Sequence, residues 1–352
     1  MRKRIKKTNL KKYFIAFLVF AILVLLILVT KKYIFKTNVN LKIENIFNKE
    51  ESLPDEAKLI KEKPLKIYNQ NTRNVAVMIS NERPAWPQAG LQNAYMIYEC
   101  IIEGGETRYM ALFKEDRLPN KIGPVRSSRH YFLDYLAEHD AIYAHFGWSP
   151  MAEIRIKQRG VQNINGIYDN YFWREGGGYN NAFISRKTIL DFAKRKGYNL
   201  TSSPELPFKI TSKNFDINGE KYCNNIRLTY SNRHYVDYVY DKENKVYLRS
   251  MRGTPHVDRV TKERIKAKNI IVMKVKNFNL NDYVGSARQD LDNIGSGSGY
   301  YITNGKYEEI TWNKPSYSSK TKIRNLNNEE ITLNDGLTFI QVVPDRYNVK
   351  IN

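Results

Sequence analysis

MIYECIIEGGETRYMALF, residues 96–113, is the stretch from which the fold is read most directly. Its two ends are apolar and rich in β-branched and aromatic residues, with Gly104-Gly105 between them. Residues 96–103 and 108–113 therefore read as a strand pair joined by a tight connection. Outward from it, residues 75–79 form another strand candidate and residues 142–146 a further one. Phe132, Leu133, Leu136 and Ala137 recur at helical spacing within 131–138. Residues 152–157 and 185–196 also read as helices, the second with Ser185 at its N-cap and Gly197 at its C-cap. Helices mixed with strands argue for an α/β or α+β first part, residues 72–214.

From about Phe215 the pattern changes. Residues 226–230, 235–240 and 246–249 are short aromatic-rich strands, with turn residues at 241–244. Further strands follow at 270–275, 300–303, 308–312 and 337–343. Asn304-Gly305 is a two-residue hairpin turn. The part from 215 to 352 is thus mostly β, and the fold class expected for the whole is α+β.

The N-terminus reads as a membrane segment. From Tyr13 to Thr30 the run YFIAFLVFAILVLLILVT carries no charge. With Tyr33, Ile34 and Phe35 in the far interface it reaches the roughly 20 residues that cross a bilayer. Seven positive residues precede it and three follow closely, which keeps residues 1–12 in the cytoplasm and places the bulk outside. Thr30-Lys31-Lys32-Tyr33 is a poor cleavage site, so 13–35 reads as an uncleaved anchor, and no cysteine for lipid attachment follows it. Residues 36–71, with Pro54 and Pro64 and little periodicity, read as a stalk.

The chain has 352 residues, 42% of them hydrophobic, 12% aromatic and 26% charged, which excludes a disordered chain. Ten of the net +21 charges lie in residues 1–36, which contain no acid, leaving +11 for the rest. Such an exterior suits an anionic partner, or is simply a solvated lysine surface. Cys100, inside an apolar run, reads as a buried small hydrophobe; a disulfide with Cys223 is the alternative.

Several unusual strings occur in order: EGGETRYMALF (103–113), IGPVRSSRHYFLDY (122–135), AIYAHFGWSP (141–150), YFWRE (171–175), LRSMRGTPHVDRVTKERIKAKNIIVM (248–273) and DGLTFIQVVP (335–344). This series resembles the YerB-like family of bacterial envelope proteins over roughly residues 72–348. The resemblance implies an α+β N-terminal domain, a separate C-terminal domain and an envelope location. Members are typically lipoproteins or otherwise exported, and the family implies no settled activity. The anchor without a lipidation cysteine departs from that pattern and changes only the tether.

The strongest candidate site is basic and aromatic: Arg108, Arg126, Ser127 and Arg129 from the signature strings, with His145, Trp148, Trp173 and Arg174. A guanidinium grips carboxylate or phosphate at two points, and aromatic faces suit a sugar. The competing reading pairs these arginines internally with Glu99, Glu103, Glu106 or Asp134. His256 and Asp258, alternate residues that would share a strand face, are weaker candidates for catalysis with His145. Gly295-Ser296-Gly297-Ser298-Gly299 lacks the following helix of a phosphate loop and reads as a flexible loop. Ser319-Lys320-Thr321-Lys322 has the S-x-x-K spacing without its companion motifs. A glycosidase pair from Glu99, Glu103 and Glu106 would need a set separation.

The sequence therefore predicts a membrane-anchored extracytoplasmic binding or scaffold protein. Its expected partner is an anionic wall polymer or an envelope protein, and nucleic acid is a lesser alternative. No metal or cofactor is expected. An envelope hydrolase or transferase using His145, His256, Asp258 or a glutamate is the second reading.

Overall fold

The computed structural model describes residues 71–201, 205–280 and 287–352. The basic tail 1–12, the anchor 13–35 and nearly all of the stalk 36–71 lie outside the described residues. Among the described residues, no helix is long and apolar enough to cross a membrane.

Strands dominate. The first half contains β1 (Asn74–Ser80), β2 (Met96–Ile101), β3 (Thr107–Lys114), β4 (Ile142–His145), β5 (Asn163–Asn165), β6 (Trp173–Arg174) and β7 (Ala182–Phe183). After β8 (Lys209–Thr211) come β9 (Asn225–Thr229), β10 (Tyr235–Asp241), β11 (Val246–Met251), β12 (Thr254–Pro255) and β13 (Lys266–Ala267). Then follow β14 (Asn269–Val275), β15 (Asn277–Asn279), β16 (Gln289–Leu291), β17 (Gly295–Thr303) and β18 (Lys306–Lys314). The last are β19 (Lys322–Asn325), β20 (Thr332–Asn334), β21 (Thr338–Pro344) and β22 (Val349–Ile351). The α-helices are α1 (Phe132–Leu136), α2 (Pro150–Gln158) and α3 (Arg186–Lys196).

One ten-stranded sheet, ordered β19-β18-β17-β14-β21-β2-β3-β1-β4-β5, runs through both halves of the chain. The halves join where β21 lies parallel to β2, with Gln341 opposite Glu99. β2 and β3 form the antiparallel pair read from residues 96–113, with Ile97 opposite Ala111. β1, β2, β3 and β21 are buried along their whole length, which is why they read as continuous apolar runs rather than alternating ones. A second sheet, β12-β11-β10-β9-β22 with β13 beside β11, alternates buried and exposed residues, as a sheet with one solvated face does.

Consecutive residues of β2 show the two covers of the central sheet. The Tyr98 ring stacks on Tyr135 of α1, centroids 4.8 Å apart, while Glu99 meets Arg249 of β11. Helix termini follow the local chemistry. Ser149 caps α2 by accepting from the Ala152 amide, and Pro150 occupies the first turn. Ser185 and Thr188 form a capping box on α3, which ends at Gly197 in the left-handed conformation, as their sequence indicates.

Residues 295–299 correct the expectation of a flexible loop: they are the first half of β17, paired with β18 through the Asn304-Gly305 turn. A Cβ on Gly297 would lie 2.7 Å from the Trp312 indole, and one on Gly299 only 1.8 Å from the Val272 carbonyl oxygen. These glycines permit close packing inside a sheet, and no helix N-terminus follows them to receive a phosphate.

Candidate functional site

A pocket of about 260 Å³ opens beside the β1–β4 end of the large sheet. Residues 125–128 pass between neighbouring elements and are pinned by main-chain bonds. The Arg126 amide donates to the Met78 carbonyl at 2.9 Å, and its own carbonyl accepts from Phe146 at 3.1 Å. The Ser128 amide donates to Gly147 at 2.9 Å, and Val125 donates to Ala182 at 2.6 Å. Hairpin β6–β7 thereby becomes the far wall. Arg126, Ser127, Trp148 and Arg174 line the pocket together with Phe146 and Tyr179, and its lining holds no carboxylate.

Four of the residues predicted for the site thus share one cavity. The Arg174 guanidinium lies 4.6 Å from the Phe146 ring centroid and donates to the Asn181 amide oxygen at 2.5 Å. Arg126 is loosely held. Its Nη1 reaches the Tyr179 carbonyl at 3.5 Å, its Nη2 stands 4.0 Å from Glu82, and its buried Nε has no hydrogen-bond partner among the described residues. The Ser127 hydroxyl donates to the Phe146 carbonyl at 3.0 Å.

The remaining predicted residues lie around this cavity rather than in it. Arg108 is buried behind Ser127, donating to its carbonyl at 2.6 Å, with Glu82 at 3.6 Å. Burial, then the neighbouring Arg129, pulls the Arg108 guanidinium down to about 9. Arg129 is committed elsewhere, gripping Glu103 at both oxygens (2.6 and 2.9 Å), the internal pairing that the competing reading describes. His145 is buried beneath Trp148, ring centroids 5.6 Å apart; its Nδ1 donates to the Gly147 carbonyl at 2.8 Å. Burial lowers its pKa to about 4, so the ring is neutral. Trp173 packs on Phe183 and donates to Glu175, which also receives Lys121.

His256 and Asp258 are buried but serve different partners. Asp258 accepts the Gly90 amide at 2.6 Å and the amides of Val260 and Thr261. His256 accepts from Arg249 at Nδ1, 2.7 Å away; because a guanidinium only donates, its proton sits on Nε2 and points to Gln88 at 2.9 Å. Among the described residues, His145 shares no hydrogen-bond partner with either residue. Each of these side chains is engaged in holding the fold.

Sequence reasoning missed the group around Glu99. Its carboxylate is fully buried and accepts from Asn81 (3.0 Å) and Thr107 (2.7 Å) at one oxygen, and from Arg249 (2.7 Å) and Gln341 (3.0 Å) at the other. Burial would raise its pKa, but the Arg249 charge and the His234 and Thr107 hydrogen bonds outweigh it and hold it at about 2. His234, Arg252 and Glu106 extend the network towards the surface. Alternation along residues 246–251 marks Arg249 as inward-facing on a strand, the one signal that could have found it. Both cysteines are free and buried, so the disulfide alternative is not realised. Among the described residues, no group of three or more His, Cys, Asp or Glu could hold a metal ion.

The sequence of residues 63–199 matches the family described as "Protein of unknown function (DUF3048) N-terminal domain", and residues 226–340 match its C-terminal domain. The chain belongs to this two-part family, the one its signature strings resemble. It is similar to the protein named "Putative lipoprotein YerB" of Bacillus subtilis (strain 168), with 30% identity over 314 residues, 84% of this chain and 89% of that protein. The crystal structure of YerB from Bacillus subtilis shares the fold at a TM-score of 0.71 and 29% identity, over 80% of this chain and 94% of that one.

Proposed function

We propose that the protein is an envelope-tethered binding module, held by the apolar run from Tyr13 to Thr30 with its N-terminus in the cytoplasm. Its outer part takes an anionic wall polymer into the Arg126–Arg174 pocket. One observation carries this reading. Two guanidinium groups and the aromatic faces of Phe146, Trp148 and Tyr179 line a cavity that contains no carboxylate. Guanidinium groups recognise carboxylate or phosphate oxygens, and aromatic faces pack on sugar rings. The cavity lies near the lower edge of the ~300–1,000 Å³ typical of ligand sites, so it receives one residue of a polymer rather than a length of chain. The family likeness to a protein named as a lipoprotein supports the envelope setting. An enzymatic role for His145, His256 or Asp258 has less support, because their polar atoms are occupied within the fold.

The test is co-sedimentation of the full-length chain, in neutral detergent at low salt, with cell walls before and after their anionic polymers are stripped. Binding should require the polymers and be lost in the Arg126→Gln/Arg174→Gln double variant. Equal binding to stripped walls would contradict the reading.

A further inference from the structure

The basic group beside the pocket, of which Arg126 reaches the lining, is under-neutralised in a specific way. Arg108, Arg126 and Arg129 bring three guanidinium groups together, and only Glu82 and Glu103 stand within ion-pair distance of them among the described residues. Arg129 uses Glu103 completely, with two short bonds. Glu82 is left for two arginines. It reaches both at one oxygen, 3.6 Å from Arg108 and 4.0 Å from Arg126, beyond ordinary hydrogen-bond length. The Nε atoms of both arginines are buried without a hydrogen-bond partner among the described residues. The other Glu82 oxygen accepts from Asn180 at 3.3 Å, and Asn180 lies on the connection between β6 and β7 that walls the pocket. Glu82 itself keeps about a quarter of its side chain exposed (28%), so it has room to swing away.

We propose that Glu82 is a built-in counter-anion of the pocket. A ligand's carboxylate or phosphate competes with it for Arg126 and displaces it into solvent, and the Asn180 contact is given up in the same step. This rests on the proposed reading of the pocket and adds the regulation of its affinity. A single shared carboxylate at these distances holds the arginines in place without satisfying them, so the empty site stays folded while a better-placed anion is still preferred. The site accordingly takes one anionic group at a time, carried on a sugar-sized body that reaches Trp148 and Phe146.

The test titrates the full-length chain in neutral detergent with D-glucuronate and glucose 6-phosphate, with glucose as the neutral control. In Glu82→Gln the competing charge is gone and at least one anionic probe binds roughly fivefold tighter than to wild type, while glucose is unchanged. The probe that gains tells carboxylate from phosphate. A folded E82Q variant that binds both no more tightly than wild type overturns the inference, and the pocket reading then stands on wild-type binding alone. Absence of binding by both proteins removes the pocket reading and the inference together. Should E82Q fail to fold, Glu82→Asp retains the charge but draws it back by one methylene, and an affinity no tighter than wild type overturns the inference equally.

Discussion

Asn81 and Glu82 are neighbours in the chain and serve two opposite uses of arginine. Asn81 belongs to the group in which Arg249 meets Glu99 at 2.7 Å, fully buried, with every oxygen of the carboxylate receiving donors. The Arg249 guanidinium is also bracketed by the rings of Tyr109, Tyr238 and Phe339, 5.3–5.7 Å away. Glu82 belongs to the group in which two arginines share one carboxylate at 3.6 and 4.0 Å, and one of them, Arg126, faces a cavity. The number of charges differs little between the two. The degree of satisfaction differs greatly. A buried pair whose hydrogen bonds are all made fixes structure, whereas loosely neutralised guanidinium groups at a cavity wall are free to recognise a ligand.

The largest effect that would break this comparison lies at the buried pair. Arg249→Met leaves Glu99 charged and buried without its partner and should lower the unfolding free energy by about 3–5 kcal/mol in chemical denaturation. Adding Glu99→Leu should recover much of that loss, because the uncompensated charge disappears. If Arg249→Met costs under ~1 kcal/mol, the pair is no structural clamp between β2 and β11.

Acid should act next, in two stages. His139 and His145 are held neutral by burial, at about 3 and about 4, so the unfolded chain binds more protons than the folded one below their ordinary 6.5. Stability therefore falls as the pH drops from about 6.5 towards 4 for His145 and towards 3 for His139. Glu99 is depressed from 4.5 to about 2; its contribution is fully present above 4.5 and is lost as the pH falls from there towards 2. Melting temperatures across pH 7 to 3 check both stages. A flat profile between 6.5 and 4.5 would refute the histidine part, and Glu99→Gln should leave that upper stage unchanged while making the fall below 4.5 shallower.

The contrast also explains what the chain discloses as text. The central strands β1, β2, β3 and β21 were legible because burial along their whole length writes a continuous apolar run, as in 75–79 and 337–343, whereas the edge strands β5 and β19 carry no such run. The caps of α3 were legible because Ser185 and Gly197 act within a few residues of themselves. The pocket was half legible. Arg126, Ser127, Trp148 and Arg174 lie in unusual strings, but Glu82, Asn180 and Tyr179 reach the site only through main-chain bonds such as Val125 to Ala182, which no local pattern encodes. Arg108 and Arg129 look alike in sequence and differ only because Glu103 lies within reach of one of them. The Glu99 group was illegible for the same reason: Asn81, Arg249 and Gln341 are brought to it by three separate strands or their ends. Gly295–Gly299 misled because glycine serves loops and close packing alike, and the Trp312 indole against Gly297 and the Val272 carbonyl against Gly299 decide between them.

At the open pocket the expected effects move from stability to binding. Arg126→Gln should weaken binding of an anionic sugar probe at least tenfold, since a charge-assisted contact is lost. It should shift the unfolding free energy by less than ~1 kcal/mol, because Arg126 is a quarter exposed and its ion pair is long. A loss of stability comparable to that of Arg249→Met would mean that Arg126 is part of the framework and would erase the distinction between the two regions.

Salt gives the smallest and most selective contrast. Between about 10 and 150 mM ionic strength the screening length shortens from roughly 30 to 8 Å for charges in contact with solvent. Probe affinity at the Arg126–Arg174 pocket should therefore drop several-fold over that range, because ions reach its lining. The stability difference between wild type and Arg249→Met should hardly move, because Arg249 and Glu99 are both fully buried and no ion enters between them. The two titrations run on the same protein in the same buffers. A salt-insensitive pocket would indicate that its affinity comes from the aromatic faces of Phe146 and Trp148, and the ligand would then be a neutral sugar rather than an anion.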